Sequence, residues 1–341
     1  MSEPLSPAKI VELGRGFMSA KVLLVAAKLH LFDELSGGAL TGIQVRERLG
    51  LHPRAIPDFL DALVALGMLE REDEGPAARY GNTPETARFL VSGRDGYVGG
   101  LLEMYNDRLF RFWADLEEAL RTGAPQNEAK HTGASMFQEL YREPVRLEQF
   151  MTAMSGISHP NFLALAERFD FAPYRSLCDV GGAAADLSCT VAERHPHLRC
   201  TSFDLPVVEP IAQAAIARRG LADRVTPVAG DFFRDPLPRA DVITMGMILH
   251  DWNLERKKAL IQAAYAALPA GGAFVAVEHL IDDERRRHVF GLLTSLNMLI
   301  EFGDAFDFTG ADFRGWCSEA GFRRFEVLQL GGPATAAIAY K

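Results

Sequence analysis

The stretch Leu177–Ser188, LCDVGGAAADLS, ends a short apolar run with an aspartate and two glycines, after which a helical pattern begins. A strand that leads through a glycine turn into a helix is typical of nucleotide-binding loops, because glycine lets the backbone approach a ligand closely. Alanine fills positions 183–185, where such loops usually carry more glycine. The stretch still predicts an α/β fold with a cofactor at this turn.

Short β-rich runs and helical stretches alternate from Ser176 onward. The runs are SLCDVGG, RCTSFD, RVTPVAGD, DVITMGM and AFVAVEHL, and this alternation is typical of a parallel sheet with helices on both faces. The last two runs, FEVLQL and TAAIAYK, are joined by a short GGP loop, which requires an antiparallel pair at the sheet edge. We predict a doubly wound, Rossmann-like sheet with an antiparallel C-terminal hairpin, a shape typical of S-adenosylmethionine (SAM) methyltransferases.

The N-terminal part follows a different pattern. Residues 10–35 carry apolar side chains at helical spacing, and Thr41–Glu70 contains two helical patterns around a Gly-Leu-His-Pro turn, followed by a hairpin pattern. This predicts a mainly α-helical winged-helix domain. Its second helix carries Asp58 and Asp61 against Arg54 alone, and DNA phosphates would repel such a helix. Protein interaction is therefore favoured over DNA binding.

Composition excludes several partners. The 341 residues are 48% hydrophobic and 24% charged, as in ordinary globular proteins, and the net charge of −9 argues against nucleic acid or anionic membrane as a partner. The longest early apolar run, Val22–Ala27, is too short to cross a bilayer, and no secretory signal precedes it. The four cysteines form no C-x-x-C pair, which predicts buried thiols, no structural zinc and a cytoplasmic setting.

Acidic residues follow several of the predicted strands, at the edge where doubly wound sheets bind ligands. Asp204 in TSFDLP lies a little over twenty residues beyond the glycines, where a carboxylate can accept hydrogen bonds from ribose hydroxyls. Asp231 and Phe232 in AGDFF could hold the amino edge and the face of an adenine. The alternatives are that Asp204 caps the helix near Pro206 and that Asp231 belongs to a turn.

At the end of the fourth strand the chain reads MGMILHDWNLERKKAL. His250 faces the same crevice, and a neutral imidazole near pH 7 is a good proton acceptor for a hydroxyl that attacks an electrophile. A structural histidine, and a turn or capping role for Asp251, are the alternatives.

The order DVGG, FDLP, GDFF, LHDW and VEHLIDD resembles the SAM-dependent O-methyltransferases of the plant caffeic-acid, hydroxyindole and bacterial polyketide type, over most of the chain. The resemblance implies that His250 is the general base, that Glu278 orients it, and that Asp307 of DFT is a second orienting acid. It implies SAM as cofactor. Because the sulfonium of SAM is already a strong methyl donor, we expect no metal to be needed for its activation. The cofactor-binding residues implied are Asp179, Gly181, Gly182, Asp204, Leu205, Asp231 and Phe232; the substrate-binding residues are Phe150, Met154, Asp251 and Met298.

The resemblance also implies three segments: a winged-helix-like dimerisation domain at 1–96, a helical linker that contributes to the substrate pocket at 97–170, and a Rossmann-like SAM-binding catalytic domain at 171–341. The implied partners are an aromatic or hydrophobic small-molecule acceptor and a second copy of the chain.

Two positions depart from the family pattern. Ala183 and Ala185 replace glycines, and either alanine would cost about 1–2 kcal/mol at a positive φ. We favour an arrangement in which Gly181 and Gly182 carry the turn and the alanines begin the helix unstrained. Asp307 stands for a glutamate, one methylene shorter.

The predicted function is methyl transfer to a hydroxyl of an aromatic or polyene-like molecule. One alternative is a C-methyltransferase or a non-methylating SAM enzyme on the same fold, and the retained His250 favours the O-methyl reaction. The other is a non-catalytic winged-helix binding or regulatory protein, against which the retained Asp204, His250 and Glu278 count.

Overall fold

The computed structural model describes residues 5–94, 96–128, 130 and 144–341, with backbone only at 76, 144–146, 148–150 and 152–157. The chain forms two compact units, Met1–Arg111 and Phe112–Lys341. The division at 96 and 170 remains a prediction about domain function.

The first unit is mainly helical. Its helices are α1 Ala8–Lys28, α2 Leu31–Glu34, α3 Gly42–Leu49, α4 Ile56–Ala65, α5 Pro84–Phe89 and α6 Gly99–Met104, followed by a π-helical turn at Tyr105–Leu109. Strands β1 Leu40–Thr41, β2 Leu69–Glu72 and β3 Arg79–Asn82 form an antiparallel sheet in the order β1-β3-β2. The two helices and the hairpin thus follow one another as the sequence predicts.

Local chemistry explains these boundaries. Thr41 and Gln44 form a capping box that begins α3, and Gly50 at φ 63° ends it. The Asp61 carboxylate accepts hydrogen bonds from Arg71 and from the Tyr80 hydroxyl, at 2.8 and 2.9 Å. An acid that argues against DNA binding therefore also ties α4 to the hairpin.

The second unit is built on a seven-stranded sheet. Its strands are β4 Ser176–Val180, β5 Arg199–Asp204, β6 Val225–Ala229, β7 Val242–Gly246, β8 Ala273–Glu278, β9 Arg324–Gln329 and β10 Thr335–Tyr340. The helices are α7 Phe110–Phe112, which spans the boundary between the units, α8 Leu116–Thr122, α9 Pro144–Arg168, α10 Asp186–Arg194, α11 Glu209–Arg218, α12 Leu254–Ala267, α13 Val289–Phe302 and α14 Gly310–Ala320.

The strand order is β6-β5-β4-β7-β8-β10-β9, with β10 antiparallel to both of its neighbours. The predicted doubly wound sheet and its antiparallel C-terminal pair are confirmed; β10 inserts beside β8, so that β9 forms the edge. Neighbouring residues of β4 enter different apolar cores, Leu177 one and Cys178 the other, because helices cover both faces.

Two further features agree with the sequence. All four cysteines are buried and unpaired with one another, and burial raises the pKa of each thiol. Among the helices that the structure describes, none combines the length and the apolar character that a membrane span requires.

Candidate active site

The glycine turn after β4 leaves no room for other residues. Gly181 has φ +72°, and its N–H donates to the Phe203 carbonyl at 2.8 Å. A Cβ at Gly181 would overlap Ile248, and one at Gly182 would overlap the Ser202 hydroxyl. The side chains packed against the turn therefore favour glycine at both positions, in a tight cradle of the kind that a nucleotide cofactor needs.

The expectation that the two alanines begin the helix unstrained is wrong. Ala183 has φ 47° and Ala185 has φ 60°, both in the left-handed region. The chain has to reverse between β4 and α10, and the reversal extends through Ala185, which is the N-cap of α10 and has no side-chain cap. The two glycines alone do not complete the turn, so each alanine carries a backbone cost of about 1–2 kcal/mol.

Burial offsets part of that cost. Ala185 is fully buried in one of the sheet cores, and Ala183 packs against Leu147, Met151 and Val208. A buried methyl group contributes about 0.8 kcal/mol. The alanine loop is therefore strained but packed.

Asp204 closes the loop from the end of β5. Its Oδ2 accepts the Ala183 N–H at 2.8 Å, and its Oδ1 accepts the Leu205 N–H at 2.7 Å. Helix α11 begins only at Glu209 and has no side-chain cap, so the capping alternative for Asp204 is not what the structure shows. Burial raises the pKa of Asp204, against the lowering effect of the two N–H donors.

Asp231 does belong to a turn, the alternative that the sequence leaves open. Its Oδ1 accepts the Phe233 N–H at 2.9 Å, and its Oδ2 lies 3.4 Å from Arg234 Nε. The same turn places the Phe232 ring beside Gly181 and edge-on to Trp252, with ring centroids 6.0 Å apart. A turn role for Asp231 and a position of Phe232 next to the glycine loop therefore coexist.

Asp179 is buried beneath the loop. Its Oδ1 accepts the Thr244 hydroxyl at 2.7 Å. Burial raises the pKa of Asp179 to about 7, and the nearby carboxylates of Asp204 and Asp186 raise it further, while the Thr244 hydrogen bond opposes both. Near neutral pH this side chain is close to half protonated.

Asp179→Asn is expected to remove a pH dependence of stability. Between about pH 4 and 7 folded Asp179 keeps a proton that the unfolded chain has lost, so the free energy of unfolding falls as pH rises. Asparagine does not titrate. Relative to the wild type, the variant should gain stability between about pH 5 and 8, by about 2–3 kcal/mol. Urea unfolding at both pH values measures this, and parallel pH dependences of the two proteins would contradict it.

His250 lies in a single 3₁₀ turn, Leu249–Asp251, just beyond β7. Its Nδ1 is 3.2 Å from Glu278 Oε2 and 3.5 Å from Asp307 Oδ1, and its Nε2 is 3.1 Å from Asp251 Oδ1. The side chains of His250, Glu278 and Asp307 are 7%, 1% and 1% exposed. Three carboxylates surround one buried imidazole. The sequence resemblance implies Glu278 and Asp307 as partners of His250, whereas it places Asp251 by the substrate and not against the imidazole.

Main-chain contacts hold the cluster in place. Glu278 ends β8, and its Oε1 accepts the Leu249 N–H at 2.9 Å, which ties the histidine turn to the neighbouring strand. The Asp307 N–H donates to the Ser295 hydroxyl of α13 at 3.2 Å. Met247, just before the turn, has φ 56°, a strained backbone of the kind that clusters at functional sites.

The charge state of His250 differs from the neutral imidazole expected near pH 7. Burial would lower its pKa, but the charges of Glu278 and Asp251 and the close carboxylate oxygens of Asp251 and Asp307 outweigh this effect, and the pKa lies well above the ordinary value. At neutral pH this geometry holds an imidazolium, because one cation faces three carboxylates.

Sequence reasoning missed Lys257. It lies in α12 with no exposed surface; its Nζ donates to the Trp252 carbonyl and lies 3.7 Å from the centroid of the Phe306 ring. The sequence offers no signal for it, since LERKKAL reads as an exposed helical face and the adjacent Lys258 is exposed, paired with Glu319.

It also missed the support beneath the loop helix. Asp186, the first residue of α10, lies 3.0 Å from Nδ1 of His159 in α9 and 2.8 Å from Nη1 of Arg219. These contacts fix the start of the helix that follows the alanine loop.

The predicted substrate residues are placed only in part. Met298 is buried on α13, the helix that packs against the histidine turn, and Asp251 is 13% exposed beside Nε2 of His250. The side chains of Phe150 and Met154 lie outside the described residues, although the backbone of both belongs to α9.

Family models match both parts of the chain. An O-methyltransferase domain model matches residues 113–323, and an O-methyltransferase dimerisation domain model matches residues 11–92.

Individual proteins resemble the chain over nearly its full length. The tetracenomycin polyketide synthesis 8-O-methyl transferase TcmO of Streptomyces glaucescens is 41% identical, covering 98% of this chain and 97% of TcmO. The N,N-dimethyltransferase OxyT of Streptomyces rimosus is 37% identical, covering 94% and 93%. Human N-acetylserotonin methyltransferase in complex with SAM superimposes with a TM-score of 0.90 at 28% identity, covering 100% of this chain and 99% of the human one.

Proposed function

The chain belongs to the SAM-dependent O-methyltransferase family, and from this premise we propose that it methylates a hydroxyl of an aromatic or polyene-like small molecule, with His250 as the general base. The observation that carries the proposal is the buried imidazole between three carboxylates, beside a glycine cradle at the same edge of the sheet. Membership of this enzyme family argues against the alternative of a non-catalytic winged-helix binding or regulatory protein.

The loop residues fit SAM. Gly181 and Gly182 keep the turn tight where a Cβ would meet Ile248 and Ser202, Asp204 offers carboxylate oxygens for the ribose hydroxyls, and Phe232 supplies an apolar face for the adenine. When bound, SAM supplies a methyl group already activated by its sulfonium, so that the protein needs only to align the acceptor and remove its proton.

The proton goes to Nε2 of His250. Its Nδ1 side is closed by Glu278 and Asp307, each 1% exposed, whereas its Nε2 faces Asp251, which is 13% exposed. When the acceptor binds, the Asp251 carboxylate has to move away from Nε2 or contact it together with the acceptor hydroxyl. Because the carboxylates raise the pKa of His250, its neutral form is a stronger base, which suits a weakly acidic hydroxyl.

The reaction needs no metal in this proposal. Nδ1 of His250 and one oxygen each of Glu278 and Asp307 lie within 4.8 Å of one another, a group that a cation could bridge. The same distances suit a shared proton between imidazolium and carboxylates. A bridging cation would bind Nδ1 in place of its proton, and Glu278 and Asp307 would then no longer pair with an imidazolium. Because the proposal keeps that imidazolium and uses no cation, we expect a chelator to leave the activity unchanged.

The atom that receives the methyl group could be nitrogen instead of oxygen. OxyT, at 37% identity, is an N,N-dimethyltransferase, so an amine is a second candidate acceptor. A hydroxyl is favoured because TcmO, at 41% identity, is an 8-O-methyl transferase and because a buried base suits hydroxyl deprotonation.

The test joins binding and turnover. Isothermal titration with SAM and with S-adenosylhomocysteine should show binding of both. Incubation with polycyclic phenols and matched arylamines, with and without a chelator, should give methyl ethers at a rate that the chelator leaves unchanged. Absence of binding in folded protein, or a product methylated only on nitrogen or carbon, would overturn the proposal.

We also propose a homodimer formed through the N-terminal domain, the part matched by the dimerisation model. Helix α1 has an exposed apolar face, formed at helical spacing by Ile10, Leu13 and Phe17, which are 76%, 83% and 57% exposed. Contact of such a face with water is unfavourable, and a second chain would cover it. Light scattering should give twice the mass of one chain, and Leu13→Glu with Phe17→Glu should shift it toward one. A wild-type monomer would contradict this.

A further inference from the structure

The buried ammonium of Lys257 has no role in the chemistry described so far. A lysine with no exposed surface is rare, because its charge loses hydration. The side chain donates to the Trp252 carbonyl, and its Nζ lies 3.7 and 5.9 Å from the ring centroids of Phe306 and Phe308. Such a position persists only where the surroundings compensate the charge.

The contacts of Lys257 reach both loops that carry acids of the His250 cluster. Trp252 directly follows Asp251, and Phe306 directly precedes Asp307. One ammonium group thus lies between the segment that meets Nε2 and the segment that meets Nδ1. The cluster itself places three carboxylates around one imidazole, an excess of negative charge in a buried site.

We propose that Lys257 is a positioning residue of the methyl transfer, whose buried positive charge balances the carboxylates around His250 and allows the imidazole to release its proton. The inference rests on the proposed function of His250 and adds to it the group that makes a neutral base attainable. Burial raises the pKa of Glu278, and the charge of His250 opposes this rise, so that without a second cation the release of the His250 proton would remove the charge that keeps Glu278 ionised.

The charged groups that face these two side chains come from several elements. The negative charges of four acids raise the pKa of Lys257: Glu278 of β8, Asp251 of the histidine turn, and Asp304 and Asp307 of the segment before α14. The same acids, except Asp304, raise the pKa of His250. His279, which follows Glu278 in the chain, is also near enough to be affected by the charge of His250: burial lowers the pKa of His279 to about 4 and the charge of His250 lowers it further, so this imidazole is neutral and adds no charge.

The charge of Lys257 persists at neutral pH. Burial lowers its pKa to about 8, and the four carboxylates, Glu278 foremost, oppose a further decrease. The ammonium therefore prevails near pH 7.

The variants that test this separate the charge from the hydrogen bond. Lys257→Met keeps a similar length and apolar volume without charge, and Lys257→Gln keeps an N–H donor for the Trp252 carbonyl without charge. Lys258→Met is the matched control, because the neighbouring lysine is 40% exposed and pairs with Glu319 on the surface.

The first readout does not depend on turnover. NMR titration of ¹⁵N-histidine protein, with the His250 signal assigned from His250→Gln, should show the His250 pKa rise by about 0.5–1 unit in Lys257→Met and Lys257→Gln but not in the control. The second readout is kcat against pH, whose rising limb should move upward by the same amount in both variants. The loss at about pH 7 should then be about three- to tenfold and recover at higher pH.

If Lys257 had a purely structural role, its substitution would lower kcat at every pH. The rising limb of kcat against pH and the His250 pKa measured by NMR would then stay unchanged, and this result would overturn the inference. Should Lys257→Met fail to fold, Lys257→Gln decides alone. If the NMR shift appears while no variant, nor the wild type, transfers a methyl group, the coupling stands and the proposed function fails.

Discussion

His250→Gln is expected to bind SAM normally and to lose about 10²–10⁴-fold in kcat, the range that a general base contributes. Glutamine is similar in size and polar but cannot accept a proton near neutral pH. In the wild type, only the neutral imidazole can take the proton, and its pKa lies well above the ordinary value. The rate should therefore rise with pH along a limb above about pH 6.5, and the variant should lack this limb.

Two comparisons make this result specific. His288→Gln, an exposed histidine in the turn before α13, should leave kcat unchanged. Glu278→Gln removes the carboxylate whose charge most raises the His250 pKa, so its limb should move to lower pH while the maximal rate falls. A His250→Gln enzyme with wild-type kcat would show that another group takes the proton.

Asp204→Ala should weaken SAM binding by at least about 100-fold. Two hydrogen bonds from ribose hydroxyls to a buried carboxylate are worth about 1.5–3 kcal/mol each. The same substitution removes the acceptor of the Ala183 N–H, which leaves the strained alanine without its partner. Isothermal titration measures both effects together.

Glu209→Ala, an acid in the first turn of the next helix, is the matched control and should bind SAM as the wild type does. Circular dichroism should show Asp204→Ala folded. An unchanged SAM affinity in that folded variant would show that the ribose lies elsewhere.

Most of the fold could be predicted from sequence because its signals are local and repeated. The apolar runs that become β4 to β10 mark the strands, and the short GGP loop fixes the antiparallel pair. Parallel strands align their carboxyl ends, which brings Gly181, Asp204, His250 and Glu278 to one edge. The predicted family is confirmed by the matched O-methyltransferase and dimerisation models.

The rest depends on three-dimensional surroundings that spacing does not encode. Whether Ala183 and Ala185 begin a helix or extend a turn depends on how far the chain must reverse, and only the backbone angles reveal it. A lysine in LERKKAL reads as exposed unless the aromatic rings of a distant loop cover it, as Phe306 covers Lys257. The charge state of His250 depends on Asp251 of its own turn and on two acids from elsewhere, Glu278 at the end of β8 and Asp307 before α14.

The most direct measurement follows a labelled methyl group from SAM to a phenolic acceptor across pH, with wild-type and His250→Gln protein, and locates the label in the product by mass spectrometry. We expect label on oxygen, a rate that rises through the elevated His250 pKa, and about 10²–10⁴-fold less product from the variant. Label on carbon or nitrogen alone, or equal rates from the two proteins, would contradict it.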